Sequence, residues 1–356
     1  MPVTLYLGER PEVVIRVSAV AELTAAIHAF VESGHHPASR QWVTTVRERV
    51  SDDVLRRISS LGPLFGAMRA RYLFPLTSLP QRSFEEELSD IEALPIERFS
   101  EFTAQALLSL SSSKEPPDVL RNRSSRSAFL ASLQQMSWQR ADLGQALVSD
   151  SEGLRQRVIS VLREAFRDAF ADNWAELLPT LNADVQRRRH DWRARGASVL
   201  SDFPGASEFD DPPRVVFDKL YFGAASLDGR ACVVVPSHHV NPHIVIKHLP
   251  DFPVVIQYSI SAVTHQLKAS DVQKRIAVLN DPTRLTTCRA ILRRPMAGIE
   301  LAQLLGMSPP QVSRHLRALR EAGLVHRRRE GNLVRYELDQ GAVRRLGADL
   351  VLTWHR

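Results

Sequence analysis

The amino-acid sequence predicts a mainly α-helical protein with small β elements, an α+β fold. Three observations lead to this prediction. Apolar residues recur at spacings of three and four through much of residues 19–171, which is the period of amphipathic helices. The pattern changes to strand-like alternation within residues 214–260. Near the C-terminus, two short helical segments are followed by two alternating segments.

Two domains are expected from the length and composition of the chain. At 356 residues it exceeds the usual size of a single hydrophobic core. Its 44% hydrophobic and 24% charged residues are typical of a globular protein and not of a disordered or membrane-embedded one. We place the first domain at residues 1–262, with a strand-rich segment at 214–260, and the second at residues 263–356.

Helical signals dominate the first domain. Its predicted helices are Ala19–Glu32, Gln41–Val50, Asp52–Leu61, Phe84–Leu94, Ile96–Leu110, Leu120–Val148 and Glu152–Ala171. Ser83 and Glu86 form the capping-box pattern that starts the fourth of them. The predicted strands are residues 3–7, Glu12–Val17, Val215–Phe217, Leu220–Phe222, Ala231–Val235, Ile244–Lys247 and Val254–Tyr258. We expect the last five to form a small antiparallel sheet, which the two N-terminal strands can complete.

A helix-turn-helix pattern begins at Ile299, within the second domain. A short helix is predicted over Ile299–Leu305, and Gly306 ends it. Ser308 is a suitable N-cap for a second helix, and Pro309 occupies the first helical position, where its missing N–H costs nothing. Gln311, three residues after the cap, completes a capping box.

The second helix of this pattern has one apolar and one polar face. Val312, Leu316 and Leu319 recur at spacings of four and three and are expected to face inward. The polar positions then face outward or lie at the flanks, and they are Gln311, Ser313, Arg314, His315 and Arg317. Arginine side chains can bind guanine edges or phosphates, glutamine can bind adenine, serine can bind several bases, and His315 is placed to bind a phosphate. We therefore predict that this helix, with Ser308 at its start, enters the major groove of DNA.

An alternating hairpin follows the second helix. The chain has a strand ending in Arg327, Arg328 and Arg329, a turn at residues 330–332, and a returning strand over Leu333–Leu338. This order is typical of a wing. We expect Arg328, Arg329 and Arg335, with Asn332 at the tip, to lie along the DNA backbone or the minor groove.

The distribution of charge favours the same end of the chain. Residues 261–356 carry 17 Lys and Arg against 8 Asp and Glu, a net charge of +9, whereas the remainder sums to −3 within the total of +6. Phosphate neutralisation supplies most non-specific affinity for nucleic acid, so the nucleic-acid function is predicted for the C-terminal quarter. One other basic block, Gln186–Arg195, is better explained as a charged, solvated helix face.

The C-terminal segment resembles the ArsR-type winged-helix transcriptional regulators. The resemblance depends on Asn280–Leu292 (NDPTRLTTCRAIL), Glu300–Ser308 (ELAQLLGMS), Val312–Val325 (VSRHLRALREAGLV) and Arg329–Leu338 (REGNLVRYEL). It implies a winged helix-turn-helix and a homodimer formed by the first and last helices of the domain, and two-fold symmetry then implies an inverted-repeat operator. The preceding domain resembles an uncharacterised domain found in some actinobacterial members of this family, and no functional residues follow from that similarity.

Apolar stripes on the first and last helices of the domain give dimerisation a physical motive. The stripe positions are Val272, Ile276, Ala277 and Leu279 on the first helix, and Val343, Leu346, Leu350 and Val351 on the last. Between these helices, Leu285 and Ile291 are expected to point into the core of the domain.

The sequence departs from the metal-sensing members of the family. Those members carry a cysteine pair in the first helix of the helix-turn-helix, and Ile299–Leu305 contains none. Others place Asp and His ligands on the last helix, but Asp349 and His355 are six residues apart and not on one helix face. Cys288 is expected to be a core residue. We predict no metal site at these positions and no cofactor.

Four histidines lie close together in the strand-rich segment, and the positions are His238, His239, His243 and His248. No Cys, Asp or Glu joins them at ligand spacing, so structural or surface roles are favoured over metal binding.

The predicted function is therefore a DNA-binding transcriptional regulator and not an enzyme, since no phosphate loop, GxSxG elbow or HExxH motif is present. Three roles stay open for the first domain: binding of a small effector that changes the half-site spacing of the dimer, catalysis, and oligomerisation alone. The start of the chain lacks a signal-peptide pattern, and no apolar run approaches the length of a membrane span, so a cytoplasmic protein is expected.

Overall fold

The fold was analysed in a computed structural model that describes residues 2–219, 221–260, 269–330 and 333–354. The chain divides into two compact units, residues 1–263 and residues 264–355. Each is described by itself. Both are built largely of helices, and small sheets accompany them in each unit.

Ten α-helices make up nearly half of the first unit as the structure describes it. They are α1 (Ala19–Val31), α2 (Arg40–Arg49), α3 (Asp52–Ser60), α4 (Gly62–Phe65), α5 (Phe84–Glu92), α6 (Ile96–Leu107), α7 (Arg123–Met136), α8 (Trp138–Ser149), α9 (Ser151–Ala165) and α10 (Ala171–Arg195). The capping box before α5 is confirmed, since Glu86 Oε2 accepts hydrogen bonds from the backbone N–H and the hydroxyl of Ser83 at 2.7 and 2.8 Å. The single helix predicted over Leu120–Val148 is wrong. Ser137 adopts an extended conformation and caps α8 through its side chain, so two helices form.

A π-helical turn at Phe166–Phe170 joins α9 to α10. Helix α10 then continues through Pro179 to Arg195, and Gly196, at φ 59°, lies outside it in a conformation that favours glycine. Turns of π-helix are frequently found at functional sites, and this one lines a cavity.

The described residues of the first unit form two four-stranded sheets of mixed direction. Its strands are β1 (Pro2–Tyr6), β2 (Val13–Ile15), β3 (Ala206–Asp210), β4 (Pro213–Asp218), β5 (Gly223–Ser226), β6 (Cys232–Ser237), β7 (Ile244–Lys247) and β8 (Val254–Ser259). One sheet has the order β3-β4-β1-β5 and the other β2-β6-β8-β7. In the first, β1 runs antiparallel to β4 and parallel to β5; in the second, β2, β6 and β8 are parallel and β7 is antiparallel.

The prediction of one antiparallel sheet is therefore wrong, because the two N-terminal strands enter different sheets. The burial of strand β6 shows why the prediction of an antiparallel sheet from local sequence patterns was wrong. Cys232 and Val234 face a core shared with the other sheet, whereas Val233 and Val235 face the helices. Both faces of this sheet are buried, so β6 reads as a continuous apolar run, as parallel strands do.

Two strand boundaries also differ from the sequence prediction. In place of Leu220–Phe222, the chain forms β5 at residues 223–226; Leu220 lies outside the described residues, and Tyr221 and Phe222 precede the strand. Strand β3, at residues 206–210, was not predicted, and it pairs along its whole length with β4. Its mostly exposed residues lack the apolar alternation that would have identified it.

Arginines of the basic block Gln186–Arg195 make contacts within the first unit. Arg189 donates through Nε to the carbonyl of Ile15 at 3.0 Å. The Arg188 guanidinium lies over the ring of Phe203, 4.8 Å from its centroid. Arg195 donates to both carboxylate oxygens of Asp202 at 2.8 and 2.9 Å. These contacts favour a structural use of the block. Arg195 is exposed, as expected for a solvated helix face, whereas Arg188 and Arg189 are half-buried, which differs from that expectation.

The second unit has five helices and a small sheet within its described residues. They are α11 (Ala269–Leu279), α12 (Pro282–Arg293), β9 (Met296–Ala297), α13 (Gly298–Leu305), α14 (Pro309–Glu321), β10 (Val325–Glu330), β11 (Leu333–Leu338) and α15 (Gln340–Trp354). The sheet order is β10-β11-β9, with antiparallel pairing throughout. The predicted helix-turn-helix and the hairpin after it are both confirmed.

The core of the second unit contains Cys288 and Ile291, as predicted, together with Leu301. Burial raises the pKa of the Cys288 thiol, as expected for a cysteine inside a core. Leu285, which was predicted to face inward, is instead exposed, and so is Leu304 of α13. Ile276, Ala277, Val343 and Val351 belong to the stripes predicted to be buried against a second copy, and they are exposed in the single chain. Leu304 is 61% exposed because Leu301 and Ala302 already fill the buried side of α13.

Candidate nucleic-acid interface

Helix α14 begins with the cap that its sequence predicts. Gln311 Oε1 accepts hydrogen bonds from the backbone N–H of Ser308 at 3.0 Å and from its hydroxyl at 2.9 Å. Pro309 follows at the first helical position. The Gln311 side chain is therefore held at the helix start, and it would have to leave the cap to reach a base.

A left-handed turn sets the angle between α13 and α14. Gly306 ends α13 at φ 64°, a conformation that costs a residue with a Cβ about 1–2 kcal/mol. The N–H of the next residue, Met307, then bonds back to the carbonyl of Ala302 at 2.9 Å. This turn orients α14 relative to the helix before it.

Three buried residues fix the rotation of α14 about its axis. Val312 and Leu316 are 2% exposed, and Leu319 is fully buried. They pack with residues of α12, α13 and the wing in one core. The opposite face must then point to solvent, as predicted.

The outward face of α14 carries the predicted polar residues. Ser313, Arg314 and Arg317 are exposed, and His315 is half-buried. Arg317 Nε donates to Glu321 Oε1 at 2.9 Å, one turn further along the helix. Within the described residues, no carboxylate lies at ion-pair distance from Arg314, so its guanidinium is the more available of the two.

His315 lies beside the start of α12. Its positive form would help to lower the pKa of Asp281, although the main cause is the backbone hydrogen bond that Asp281 accepts from Arg284 as the cap of α12. A half-buried imidazole close to a helix N-terminus is suited to hold a phosphate against the same end of α12.

The wing is a regular hairpin whose register assigns each arginine to a face. Arg328 lies opposite Arg335, and Arg329 lies opposite Val334, so Arg328 and Arg329 point to opposite faces. Arg327, Arg328 and Arg329 are all exposed. Asn332, predicted at the tip, lies outside the described residues.

Arg335 is a wing residue that contacts the rest of the unit. Its Nη1 donates to Glu300 Oε2 at 3.2 Å and to the carbonyl of Pro295 at 3.4 Å. Glu300 also holds Arg294, whose Nη1 lies 3.7 Å from Oε1. Glu300 is not among the site residues predicted from the sequence. Its place as the third residue of α13, where it accepts from the Ala297 N–H at 2.7 Å, is the capping-box signal that could have identified it.

The first unit holds a cavity of about 420 Å³ beside the π-helical turn. Its wall includes Trp42, Phe170, Asn173 and His239, with charged groups such as Arg49 and Glu176. The residues come from α2, the π-helical turn, α10 and the connection after β6.

His239 is held in one tautomer at this cavity. Its Nε2 donates to Asn173 Oδ1 at 2.8 Å, so Nδ1 accepts from the Ser39 hydroxyl at 2.9 Å. Burial lowers the pKa of His239 to about 3, which keeps the ring neutral. The buried Glu22 of α1 accepts from the backbone N–H groups of His238 and His239 and fixes this connection in place.

The four histidines at positions 238–248 have separate surroundings. His238 and His239 line the cavity, whereas His243 packs against His28 and His36. His248 is buried and lies so close to Gly223 that a side chain there would meet its ring. Neither His28 nor His36 was singled out in the sequence.

No described helix combines the length and the apolar character needed to cross a membrane.

Comparisons with known proteins place both units. Residues 3–264 match the model of a family of unknown function, DUF5937, and residues 281–327 match that of the bacterial regulatory protein, arsR family. The HTH-type transcriptional regulator KmtR of Mycobacterium tuberculosis is 40% identical over 74 residues, covering 21% of this chain and 57% of that protein. A probable mercury resistance operon repressor of Streptomyces lividans is 40% identical over 74 residues, covering 21% and 56%. The chain thus spans a little over half the length of these relatives.

Similar solved structures each cover less than a quarter of the chain. An ArsR-like transcriptional regulator from Rhodococcus sp. RHA1 is 26% identical with a TM-score of 0.23, covering 23% of this chain and 77% of that one. NolR from Sinorhizobium fredii is 28% identical with a TM-score of 0.21, covering 22% and 81%. The family matches confirm the resemblance drawn from the sequence motifs: the chain belongs to the DUF5937 family of unknown function and carries a C-terminal winged helix-turn-helix of the arsR family of bacterial regulatory proteins.

Proposed function

We propose that this protein is a sequence-specific DNA-binding transcriptional regulator that inserts α14 into the major groove. One observation carries the proposal. The rotation of α14 is fixed by Val312, Leu316 and Leu319, and its solvent face presents Arg314 and Arg317. The arsR-family match over residues 281–327 and the positive charge of the C-terminal quarter support the same function.

Each residue on the α14 face has a proposed role. Arg314 and Arg317 read guanine edges, and Ser313 adds a hydrogen bond to a base. His315 binds a phosphate beside the start of α12. Gln311 and Ser308 contact DNA only after the hydrogen bonds between them open, so these two contribute less than the arginines.

The wing residues are proposed to follow the DNA backbone or the minor groove. Arg328 and Arg329 are exposed on opposite faces of the hairpin. Asn332, predicted from the sequence to join them, lies outside the described residues. The bonds from Arg335 to Glu300 and Pro295 favour a positioning role for this residue, in which it holds the wing for the others and touches phosphate secondarily.

Selection of genomic DNA fragments with the purified full-length chain, followed by footprinting, tests the proposal. We expect a protected site with an inverted repeat. As a hypothesis, Arg317→Ala weakens binding to that site by about 1–3 kcal/mol and relaxes its sequence preference. An equal loss of affinity for specific and random duplexes would show that Arg317 contacts only phosphate. If no DNA fragment is enriched by the wild-type chain, the proposed function is wrong.

We further propose that the regulator acts as a homodimer through α11 and α15. Ile276 on α11 is 40% exposed, and Val343 and Val351 on α15 are 37% and 44% exposed. Arg275 and Asp349 bring the two helices together, with Nη1 and Oδ2 3.6 Å apart. Apolar side chains on two adjacent helices favour burial against a second copy of the same surface.

Sedimentation of the full chain tests the dimer. Val351→Asp places a charge in the proposed interface and is expected to shift the chain to monomers. Val334→Asp changes a similarly exposed valine on the wing and is the matched control, expected to leave the dimer intact. Loss of the dimer in the control alone would place the interface on the wing.

We propose that regulation does not use the metal positions known from the family. Helix α13 contains no cysteine, and Asp349 on α15 is engaged with Arg275. His355 lies outside the described residues. Metal binding that disappears in Asp349→Ala would contradict this proposal.

A second candidate function, effector binding by the first unit, is favoured by the cavity beside the π-helical turn. It offers an aromatic wall, a neutral His239 and the Asn173 amide, a combination suited to a small polar molecule with an apolar part. Thermal-shift screening of metabolites against the full chain tests it. We expect the ligand shift to vanish in Thr45→Trp, which fills the cavity, and to persist in Thr44→Trp, whose side chain is exposed next to it. A shift that survives both changes would place the ligand elsewhere.

A further inference from the structure

Three histidines from three separate segments of the first unit meet at one point. His28 lies in the last turn of α1, His36 in the short link between two 3₁₀ turns, and His243 directly before β7. One ring nitrogen of each lies within 4.8 Å of those of the other two. The ring centroids are 4.8 Å apart for His28 and His36, and 5.0 Å for His36 and His243. We call these residues the trihistidine cluster.

A hydrogen bond orients the central ring of the trihistidine cluster. His36 Nδ1 lies 2.9 Å from the backbone carbonyl of Asn241. A carbonyl oxygen only accepts, so Nδ1 carries the proton and Nε2 keeps its lone pair. Metal-binding histidines almost always donate the other ring N–H in this way, which fixes both the tautomer and the ring orientation.

The surrounding fold places the segments of the trihistidine cluster before any ligand arrives. Glu22, two turns before His28 on α1, accepts from the N–H groups of His238 and His239 and so holds the connection that leads to His243. The bond from His36 to Asn241 joins the third segment to the same connection. Two independent contacts therefore bring the three rings together, as required of a preorganised site.

The trihistidine cluster is also shielded from water. His28 is 5% exposed and His36 is 1% exposed, and His243 is half-buried. Neutral imidazole nitrogens are the ligands that borderline divalent transition metals prefer.

We propose that His28, His36 and His243 form a three-nitrogen binding site for a divalent transition metal such as Zn²⁺. Three histidines with one open position is a recognised zinc arrangement, and water or a small ligand would occupy the fourth position. At Zn–N distances of about 2.0–2.1 Å, tetrahedral geometry brings the nitrogens to about 3.3 Å from one another. The nitrogens must therefore approach one another by at most about 1.5 Å from their present separation of up to 4.8 Å. The site lies entirely in the first unit, and its existence does not depend on DNA binding.

Titration of the metal-free full chain with Zn²⁺, in competition with a chromophoric chelator, tests the site. We expect one tight equivalent. Loss of a residue that only supports a metal ligand lowers metal affinity by roughly 10–100-fold. Loss of a ligand itself should cost more, so we expect Zn²⁺ affinity to fall by about 100-fold or more in each of three variants, His28→Gln, His36→Gln and His243→Gln. The matched control is His190→Gln, which changes an exposed histidine on α10 and is expected to leave the affinity unchanged.

A variant that fails to fold would also lose the metal. X-ray absorption of the Zn²⁺-loaded wild-type chain therefore provides a second test that needs no variant. We expect three imidazole nitrogens and no sulfur in the first shell, since neither cysteine belongs to the trihistidine cluster. Absence of a tight equivalent, sulfur in the first shell, or an affinity that the three variants leave unchanged would each overturn the proposal.

Discussion

Arg335 on the wing donates a hydrogen bond to Glu300 at the start of α13, with 3.2 Å between Nη1 and Oε2. The same carboxylate oxygen accepts from the backbone N–H of Ala297 at 2.7 Å. One side chain thus caps the first helix of the helix-turn-helix and holds the returning strand of the wing. The two parts proposed to contact DNA are linked by this residue pair.

Glu300→Gln should destabilise the second unit at neutral pH and have little effect in acid. The backbone hydrogen bond from Ala297, followed by Arg335 and Arg294, holds the pKa of Glu300 below its ordinary value. A depressed carboxylate pKa contributes stability above the unfolded-state pKa, and that contribution is lost as the pH falls through the folded-state pKa. We expect the difference in melting temperature between variant and wild type to shrink from pH 7 to pH 3. A difference that is the same at both values would contradict the assignment.

Leu319→Ala should unfold the DNA-binding unit readily. Leu319 is fully buried in the core beneath α14, and a leucine-to-alanine change in such a place costs about 2–5 kcal/mol. Leu304→Ala, at a leucine that is 61% exposed, should change the free energy of unfolding by no more than about 0.5 kcal/mol. Urea unfolding of both variants measures the difference. Similar losses of unfolding free energy in the two variants would show that Leu319 is not buried in the core beneath α14.

Glu87→Ala should strongly destabilise the first unit. Glu87 pairs with Arg16 at 2.7 Å, and both side chains are at least 95% buried. Removing the carboxylate leaves a buried charge, which costs about 3–5 kcal/mol. Glu85→Ala breaks an exposed pair with Arg163 and should cost less than about 1 kcal/mol. Guanidinium unfolding followed by circular dichroism compares them, and equal losses would argue against the buried pair.

Both cysteines should be unreactive in the folded protein at neutral pH. Burial raises the pKa of Cys288 and raises that of Cys232 to about 12, so neither thiol forms the reactive thiolate. Alkylation by iodoacetamide should be slow in the native chain and rapid after denaturation. Rapid native labelling of Cys288 together with loss of DNA binding would instead identify a redox switch.

Local signals were sufficient to predict the helix-turn-helix. Ser308, Pro309 and the spacing of Val312, Leu316 and Leu319 act within one helix, so the sequence alone determines where α14 begins and which face is buried. The exposure of Leu304 could not be predicted in this way. Leu301 and Ala302 fill the buried side of α13, and the spacing of apolar residues alone does not show that Leu304 is left outside.

Features built from distant segments could not be predicted. Strand β1 pairs with β4 and β5 about 200 residues later, and no local pattern records such pairing. His28 and His243 approach each other across a similar separation. In the sequence, the histidines at 238–248 lie close together and suggest one group. In the fold, His243 from that group lies instead beside His28 of α1 and His36 of the turn that follows α1.

The most direct test of DNA reading by α14 compares the wild-type chain with Arg314→Ala on two labelled duplexes, the footprinted site and a scrambled version, by fluorescence anisotropy at several salt concentrations. We expect the wild type to prefer the footprinted site, with affinity that falls as salt rises. Arg314→Ala should lose about 1–3 kcal/mol on that site and less on the scrambled duplex. Equal affinity of the wild type for both duplexes, or an Arg314→Ala variant that binds the site as tightly as the wild type, would contradict it.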